Sequence, residues 1–271
     1  MNYKVMKRVF LFLLIAGLTT MGAFGQKKEP RSVSGFTGIN ASSVFEITVA
    51  KGGTESLTIE ADNEVMQYVR SEVKNGVLNL YLDNRKKVKN IKTLRASIVM
   101  KNLDRVILSG ACKLTTNDLF TPDKFKGDCS GASGMDVNLN TGQINLESSG
   151  ACKIKIKVNT TGNADFNVSG TSKIQGDLKA VNTKLNSSGV SSVDLTGSAT
   201  DFRIDVSGAS KINAENFVVK TATVKSSGSG KITVNVNDDL KINSSGASTV
   251  NYKGSPTIEL NKNRASNVRK L

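Results

Sequence analysis

Carboxylates, lysines and three cysteines are the side chains in this 271-residue sequence with reactive chemistry to offer. Asp118, Asp123 and Asp128 precede one turn, and Asp238-Asp239 form a pair. Acidic clusters hold Ca²⁺, or do acid–base work when a basic residue stands beside them. Neither cluster recurs at positions that would converge, so solvated loops account for both. Gly131-Ala-Ser-Gly134-Met-Asp136 resembles one turn of a calcium-binding glycine repeat, but it occurs once and that device works by iteration. Cys112, Cys129 and Cys152 are an odd set with no CxxC spacing, which gives no metal knuckle. One disulfide can form among them; the other reading is buried packing residues, because a free cysteine behaves as a small hydrophobe. The sequence has no His and no Trp. That excludes Ser-His-Asp and Cys-His catalysis and imidazole ligands, and removes the strongest sugar-stacking platform. No catalytic, metal or cofactor-binding residue emerges, and the chain is expected not to be an enzyme.

The lysines are more ordered. Lys113, Lys153, Lys173, Lys211 and Lys231 each stand three residues after a glycine of a Ser-Gly dipeptide. That dipeptide recurs with its glycine at Gly110, Gly131, Gly150, Gly170, Gly189, Gly208, Gly228 and Gly246. The intervals run from 18 to 21 residues, which is the mark of a repeat architecture. Two residues after each glycine comes a small residue, such as Cys112, Ser133 or Cys152. Four after comes an aliphatic residue or Met, and four before the residue is apolar in every unit except at Gly127.

This alternation on both sides of a glycine is the strand signal, with the glycine at a tight turn of positive φ. A unit of about 19–20 residues holds two short strands and two corners and cannot bury its own face, so units must stack. The expected fold is all-β: a single-stranded parallel β-helix, or β-solenoid, with a less regular N-terminal β region. A hairpin meander is the competing reading, but it needs two-residue turns that the units lack. Stacked coils would line the five lysines into an interrupted outward stripe, with neighbours about 5 Å apart. Asp128, Glu147 and Asp205, three residues before their glycines, would stand across the turn and partly offset that charge.

The ends are degenerate. Residues 260–268 fit a ninth unit with Arg264 at the glycine position, where Lys262, Arg264, Arg269 and Lys270 would blunt an open edge. Residues 36–44 fit a first unit with Asn40 at the glycine position. Between them, residues 45–49, 57–61, 77–82 and 96–100 read as strands. Residues 63–70 read as a short helix capped by Asn63, and Asn75-Gly76 as a hairpin turn. Residues 45–105 are expected to form wider, less regular coils that cap the solenoid.

Residues 1–25 read as a signal peptide. Lys4, Lys7 and Arg8 precede a short apolar run at residues 9–18, and Ala23-Phe24-Gly25 is a small-x-small cleavage site. Residues 26–35 are expected as a linker, 36–105 as the N-terminal β region and 106–271 as the repeat solenoid continuous with it. Cleavage removes three positive charges and no negative ones, which leaves +11 of the chain's +14. Such a charge favours anionic partners, and export argues against nucleic acid among them. No later segment is apolar enough to span a bilayer. The expected location is the periplasm, the cell surface or the medium.

Gly38-Ile39-Asn40 at the first strand, followed by the Ser-Gly-Ala-Ser-type repeats, resembles the head GIN domain family of exported Bacteroidetes proteins, described as "putative auto-transporter adhesin". The resemblance covers roughly residues 35–255. It implies a right-handed β-helix akin to pectin-lyase-like folds and an adhesion role, and it carries over no catalytic residues. Nothing here resembles an outer-membrane translocator barrel. The functional expectation is therefore a non-catalytic envelope binding module that contacts anionic polysaccharide, or another envelope or host-surface component, through the lysine stripe. Two alternatives stay open: a carbohydrate-active β-helix enzyme, and a structural or assembly protein whose solenoid ends meet in an oligomer.

Overall fold

The computed structural model describes residues 25–83, 88 and 90–271. The expected signal segment up to Phe24, and the basic run at residues 85–89 apart from Val88, lie outside the described residues. Among the described residues, twenty-two strands, numbered β1 to β22 in chain order, and one short helix, α1 (Asn63–Met66), make up the regular structure. Stacked parallel strands form a solenoid of about nine turns.

Each repeat contributes one strand before its Ser-Gly turn and one after it. Strands β10 (Lys124–Cys129), β12 (Gln143–Ser148), β14 (Asn163–Val168) and β16 (Asn182–Gly189) pair in parallel on one side of the turn. On the other side, β9 (Lys113–Phe120), β11 (Gly134–Thr141), β13 (Lys153–Thr160) and β15 (Lys173–Lys179) do the same. Farther along, β17 (Ser192–Gly208), β18 (Lys211–Gly228) and β19 (Lys231–Ser244) run on through the far corner and supply both sides of the stack. Equivalent positions stack on one another, as with Gly189 on Gly208 and Gly208 on Gly228. Like on like follows from the repeat, because an identical unit offers the same apolar rows and the same backbone register to its neighbour.

All eight turn glycines have positive φ. The reason is close approach as well as turn shape. A Cβ on Gly189 would sit 2.6 Å from the Gly170 carbonyl oxygen of the preceding coil. That carbonyl accepts the next backbone N–H instead, Val190 to Gly170 at 2.9 Å. The core between the sides is one continuous apolar column, with Phe166, Phe202 and Phe217 among its largest fully buried side chains. The Phe202 and Phe217 rings meet edge to face at 5.3 Å.

The N-terminal region departs from expectation in three ways. First, the coil order is not the chain order. β6 (Val77–Leu82) and β7 (Leu94–Met100) stack on one side of β2 (Gly38–Ala41) and β3 (Glu46–Lys51). β8 (Arg105–Leu108) and β9 stack on the other. Residues 36–51 therefore form the second coil, and the chain drops back to build the first. Second, that first coil is closed by antiparallel strands rather than wider coils. β4 (Ser56–Asp62) pairs antiparallel with β7, and β5 (Val69–Lys74) with β6 through the Asn75-Gly76 turn. Both turn residues have positive φ, 51° and 73°, as a tight hairpin demands. The stretch expected as a linker contains β1 (Gln26–Arg31), which pairs antiparallel with the outer edge of β4.

Third, the turn of the second coil lies at Ser43, not Asn40. Asn40 is inside β2, aligned with Ile107, and its side-chain amide donates to Asn79 Oδ1 at 2.9 Å. Ser43 has φ +89° and lies directly under Gly110. The apolar rows decide this: Ile39 aligns with Val106 and Ala41 with Leu108, which carries the corner three residues on. The helix cap differs by one residue too. Asp62 is the N-cap, and its carboxylate accepts from the Lys92 and Thr93 amides rather than from the helix. At the C-terminal end, β22 (Asn267–Lys270) stacks on β20 (Thr249–Lys253), which sets Arg264 above Gly246. There Ser266 Oγ donates to the Gly246 carbonyl at 3.1 Å.

Candidate binding surface

Each stripe lysine is held by its own backbone. The residue is the first of its post-turn strand, and its N–H donates to the coil beneath: Lys153 to Ser133 at 2.9 Å, Lys173 to Cys152 at 2.8 Å, Lys231 to Ser210 at 3.0 Å. The alternation then forces the side chain outward, because the flanking Cys152, Ile154, Ser172 and Ile174 face the core. All five lysines are exposed.

Register brings Lys153 beside Lys173 and Lys211 beside Lys231. It does not join them into one row. Gly134 separates Lys113 from Lys153, and Ser192 separates Lys173 from Lys211. Among the described residues, none of the five has a carboxylate within ion-pair distance. The same face carries lysines outside the stripe, among them Lys155 and Lys157. Lys155 and Lys157 alternate with Ile154, Ile156 and Val158 along β13 and are exposed beside Lys153. Their signal was present in the sequence as period-two lysines after one turn, but it occurs in one coil only and so escapes a search by repeat position.

The acidic positions stand on the other side of the Ser-Gly turn. A groove of about 660 Å³ runs across the pre-turn strands, lined by Asp128, Glu147, Asn167, Asn186 and Asp205 and by the serines before the turn glycines. Asp128 and Glu147 are register neighbours. Both lie against Lys126 Nζ, at 3.7 and 3.6 Å. Their charge is thus offset by Lys126 rather than by the stripe. Farther along, Asn186 donates to Asn167 Oδ1 at 2.7 Å. Desolvation, more than any other influence, raises the Asp128 carboxyl above its ordinary value, and its Oδ1 is buried without a hydrogen-bond partner.

The other carboxylates do not gather. Asp118 accepts the Lys51 amide at 2.7 Å and so ties the loop after β3. Asp123 lines a separate groove with Arg105 and Lys124. Asp239 lies within β19, aligned with Thr257. No group of three or more Cys, Asp or Glu side chains is placed to hold a metal ion among the described residues. No helix among them is long and apolar enough to cross a membrane.

The family model described as "Putative auto-transporter adhesin, head GIN domain" matches residues 35–193 and 155–256. The fold is shared with a protein from Parabacteroides merdae called a "putative adhesin". That likeness has a TM-score of 0.70 at 19% identity and covers 92% of this chain and 98% of that one. A "putative adhesin" from Parabacteroides distasonis gives 0.69 at 20% identity, over 91% and 97% of the two chains. A "Putative lipid binding protein" from the same organism gives 0.65 at 18% identity, over 92% and 98%. No curated protein matches the chain.

Proposed function

The chain belongs to the head GIN domain family of auto-transporter adhesin type, and from that premise we propose that it is a non-catalytic, exported envelope module that binds anionic polysaccharide through its lysine face. The observation that carries this reading is the pairing of exposed lysines that, among the described residues, have no carboxylate within ion-pair distance. Lys153–Lys173 and Lys211–Lys231 are adjacent in register on rigid strands. Adjacent strands lie about 4.8 Å apart, so each pair is mutually repulsive in the free protein. A polymer with a carboxylate or sulfate on successive sugars relieves both pairs at once, and the backbone anchors confine the ordering cost of binding to the lysine side chains. Lys155 and Lys157 lie on the same face, each with an aspartate as a register neighbour, Asp136 and Asp177.

A carbohydrate-active enzyme would need convergent carboxylates. Asp128 and Glu147 share Lys126 beside one groove, but what favours the non-catalytic reading is that the family model and the similar structures are named adhesins. The non-catalytic reading is therefore the one we carry forward.

The test is binding of the mature protein to an immobilised polyuronate and to a neutral glucan of similar length, at low and high salt. The expected result is binding to the polyuronate alone, weakened at high salt through screening. Changing Lys153, Lys173, Lys211 and Lys231 together to Ser should lower affinity at least about tenfold, roughly 1.4 kcal/mol, with no fall in melting temperature. Undiminished binding by that variant overturns the lysine face; equal binding to the glucan overturns the charge argument.

A further inference from the structure

Inside each Ser-Gly turn, the residue two before the glycine and the residue two after it both face the core. At two places the structure joins these positions diagonally from one coil to the next, while Ser226 and Ser248 on the equivalent diagonal do not bond each other. Ser148, two before Gly150, donates to Ser172 Oγ, two after Gly170, at 2.7 Å. Ser187 and Ser210 repeat the contact two coils on, at 2.9 Å. The same diagonal brings Val206 against position 230, where an added Cβ would lie 3.0 Å from Val206 Cγ1. One coil before the first serine pair, the same diagonal is occupied by Cys129 and Cys152, both buried and free, with Cys152 Sγ donating to the Ser149 carbonyl at 3.3 Å.

We propose that Cys129 and Cys152 are an oxidisable pair that closes into an intrachain disulfide and stitches one coil of the solenoid to the next. A disulfide needs Cβ atoms about 3.5–4.5 Å apart. The serine oxygens on the equivalent diagonals are 2.7 and 2.9 Å apart, so side chains at these two positions reach one another. Cys112 has no sulfur on its own diagonal, where the coil beneath offers Ala41. Burial pushes its thiol up to about 11, which keeps it protonated and unreactive.

The pair is chemically uneven. Coupling between the two thiols lowers Cys152 and raises Cys129. Once deprotonated, Cys152 is the attacking thiolate. It attacks one sulfur of a small disulfide oxidant such as oxidised glutathione, forms a mixed disulfide and releases one glutathione thiolate. Cys129 loses its proton, attacks the Cys152 sulfur of that mixed disulfide and releases the second thiolate. Two protein thiols are oxidised to one disulfide, one glutathione disulfide is reduced to two thiols, and the two protons pass to the leaving thiolates. Both sulfurs are buried, but Cys129 lines the floor of the groove over the pre-turn strands. The reaction is thus fastest while the coils are still closing.

The experiment refolds the mature protein in a glutathione redox buffer, then denatures it, alkylates free thiols and counts them by mass spectrometry. The expected count is one thiol, at Cys112, with a single cross-linked peptide joining Cys129 to Cys152. Cys112→Ser should leave no free thiol. Cys129→Ser and Cys152→Ser should each leave two and no cross-link. The double variant rebuilds the serine pair seen at 148 and 172, so it should fold normally. A reductant should lower the melting temperature of the oxidised wild type by several degrees and leave the double variant unmoved. Three alkylated thiols in refolded native protein, or a cross-link to Cys112, overturns the proposal.

Discussion

Val206 and Gly230 are complementary across a coil boundary: the valine occupies the space that a side chain at 230 would need. An added Cβ there would stand 3.0 Å from Val206 Cγ1, closer than ordinary van der Waals contact. Two of the equivalent diagonals carry hydroxyls in contact, Ser148 with Ser172 and Ser187 with Ser210. The two solutions fill the same corner, one with bulk against an empty site and the other with a hydrogen bond.

That relationship predicts coupling. Gly230→Ser alone should destabilise by about 1–3 kcal/mol through overpacking. Val206→Ser alone should destabilise by a similar amount through lost burial. The double variant rebuilds a hydroxyl pair and should lose clearly less than the sum of the singles, with an interaction of about 1 kcal/mol. Urea titration of all four proteins measures it, and strict additivity would show that the diagonal carries no energy.

Gly189→Val should cost about 3 kcal/mol or more. Its φ is +92° and the new Cβ would meet the Gly170 carbonyl, so backbone strain and a clash act together. Gly53→Ala is the matched control, since an added Cβ there meets nothing within 4 Å and φ is not positive. Thermal melts of the two variants should therefore separate widely.

Ser43 is the one turn residue of the Ser-Gly column that holds φ +89° with a side chain. Ser43→Gly should stabilise by about 1 kcal/mol, because glycine adopts that conformation without strain. A lower denaturation midpoint would mean that the hydroxyl has a role the geometry does not reveal.

Asp128 gives a pH signature. Its folded carboxyl is raised, chiefly by desolvation, so the native state holds the proton more tightly than the unfolded chain. The protonated form's contribution is full below the ordinary carboxylate range and is lost as pH rises through the raised folded value. Asp128→Asn should therefore match the wild type in stability near pH 3 and exceed it, by a small margin, at pH 7. Melting curves across that range test the sign.

The paired lysines predict a salt effect. Lys173→Glu places an acid beside Lys153 and should stabilise by a few tenths of a kcal/mol at low ionic strength, on the scale of a cross-strand charge pair. The gain should vanish in molar salt, and differential scanning calorimetry at both strengths would read it.

The solenoid and the outward lysine columns were legible because a repeat writes its own geometry. Each Ser-Gly fixes a corner, alternation fixes which residues face in, and equal spacing fixes what stacks on what. Strands 77–82 and 96–100 were legible for the same local reason. The corner at Ser43 was not, since its unit lacks the glycine and only the pairing of Ile39 with Val106 sets the register. Lys126 as the partner of Asp128 and Glu147 was also hidden, because it joins two coils on the face away from the stripe.

The sequence alone determined a stack of two-stranded coils with a glycine turn, because those features depend on contacts repeated at one fixed interval. The tertiary structure decided what has no interval. It set the first coil, β6 and β7, on the far side of the second, and closed it with antiparallel β4, β5 and β1. It also chose which small residues meet diagonally between coils. Both depend on which apolar row remains uncovered once the regular coils are in place, and that is a property of the assembled core rather than of any segment within it.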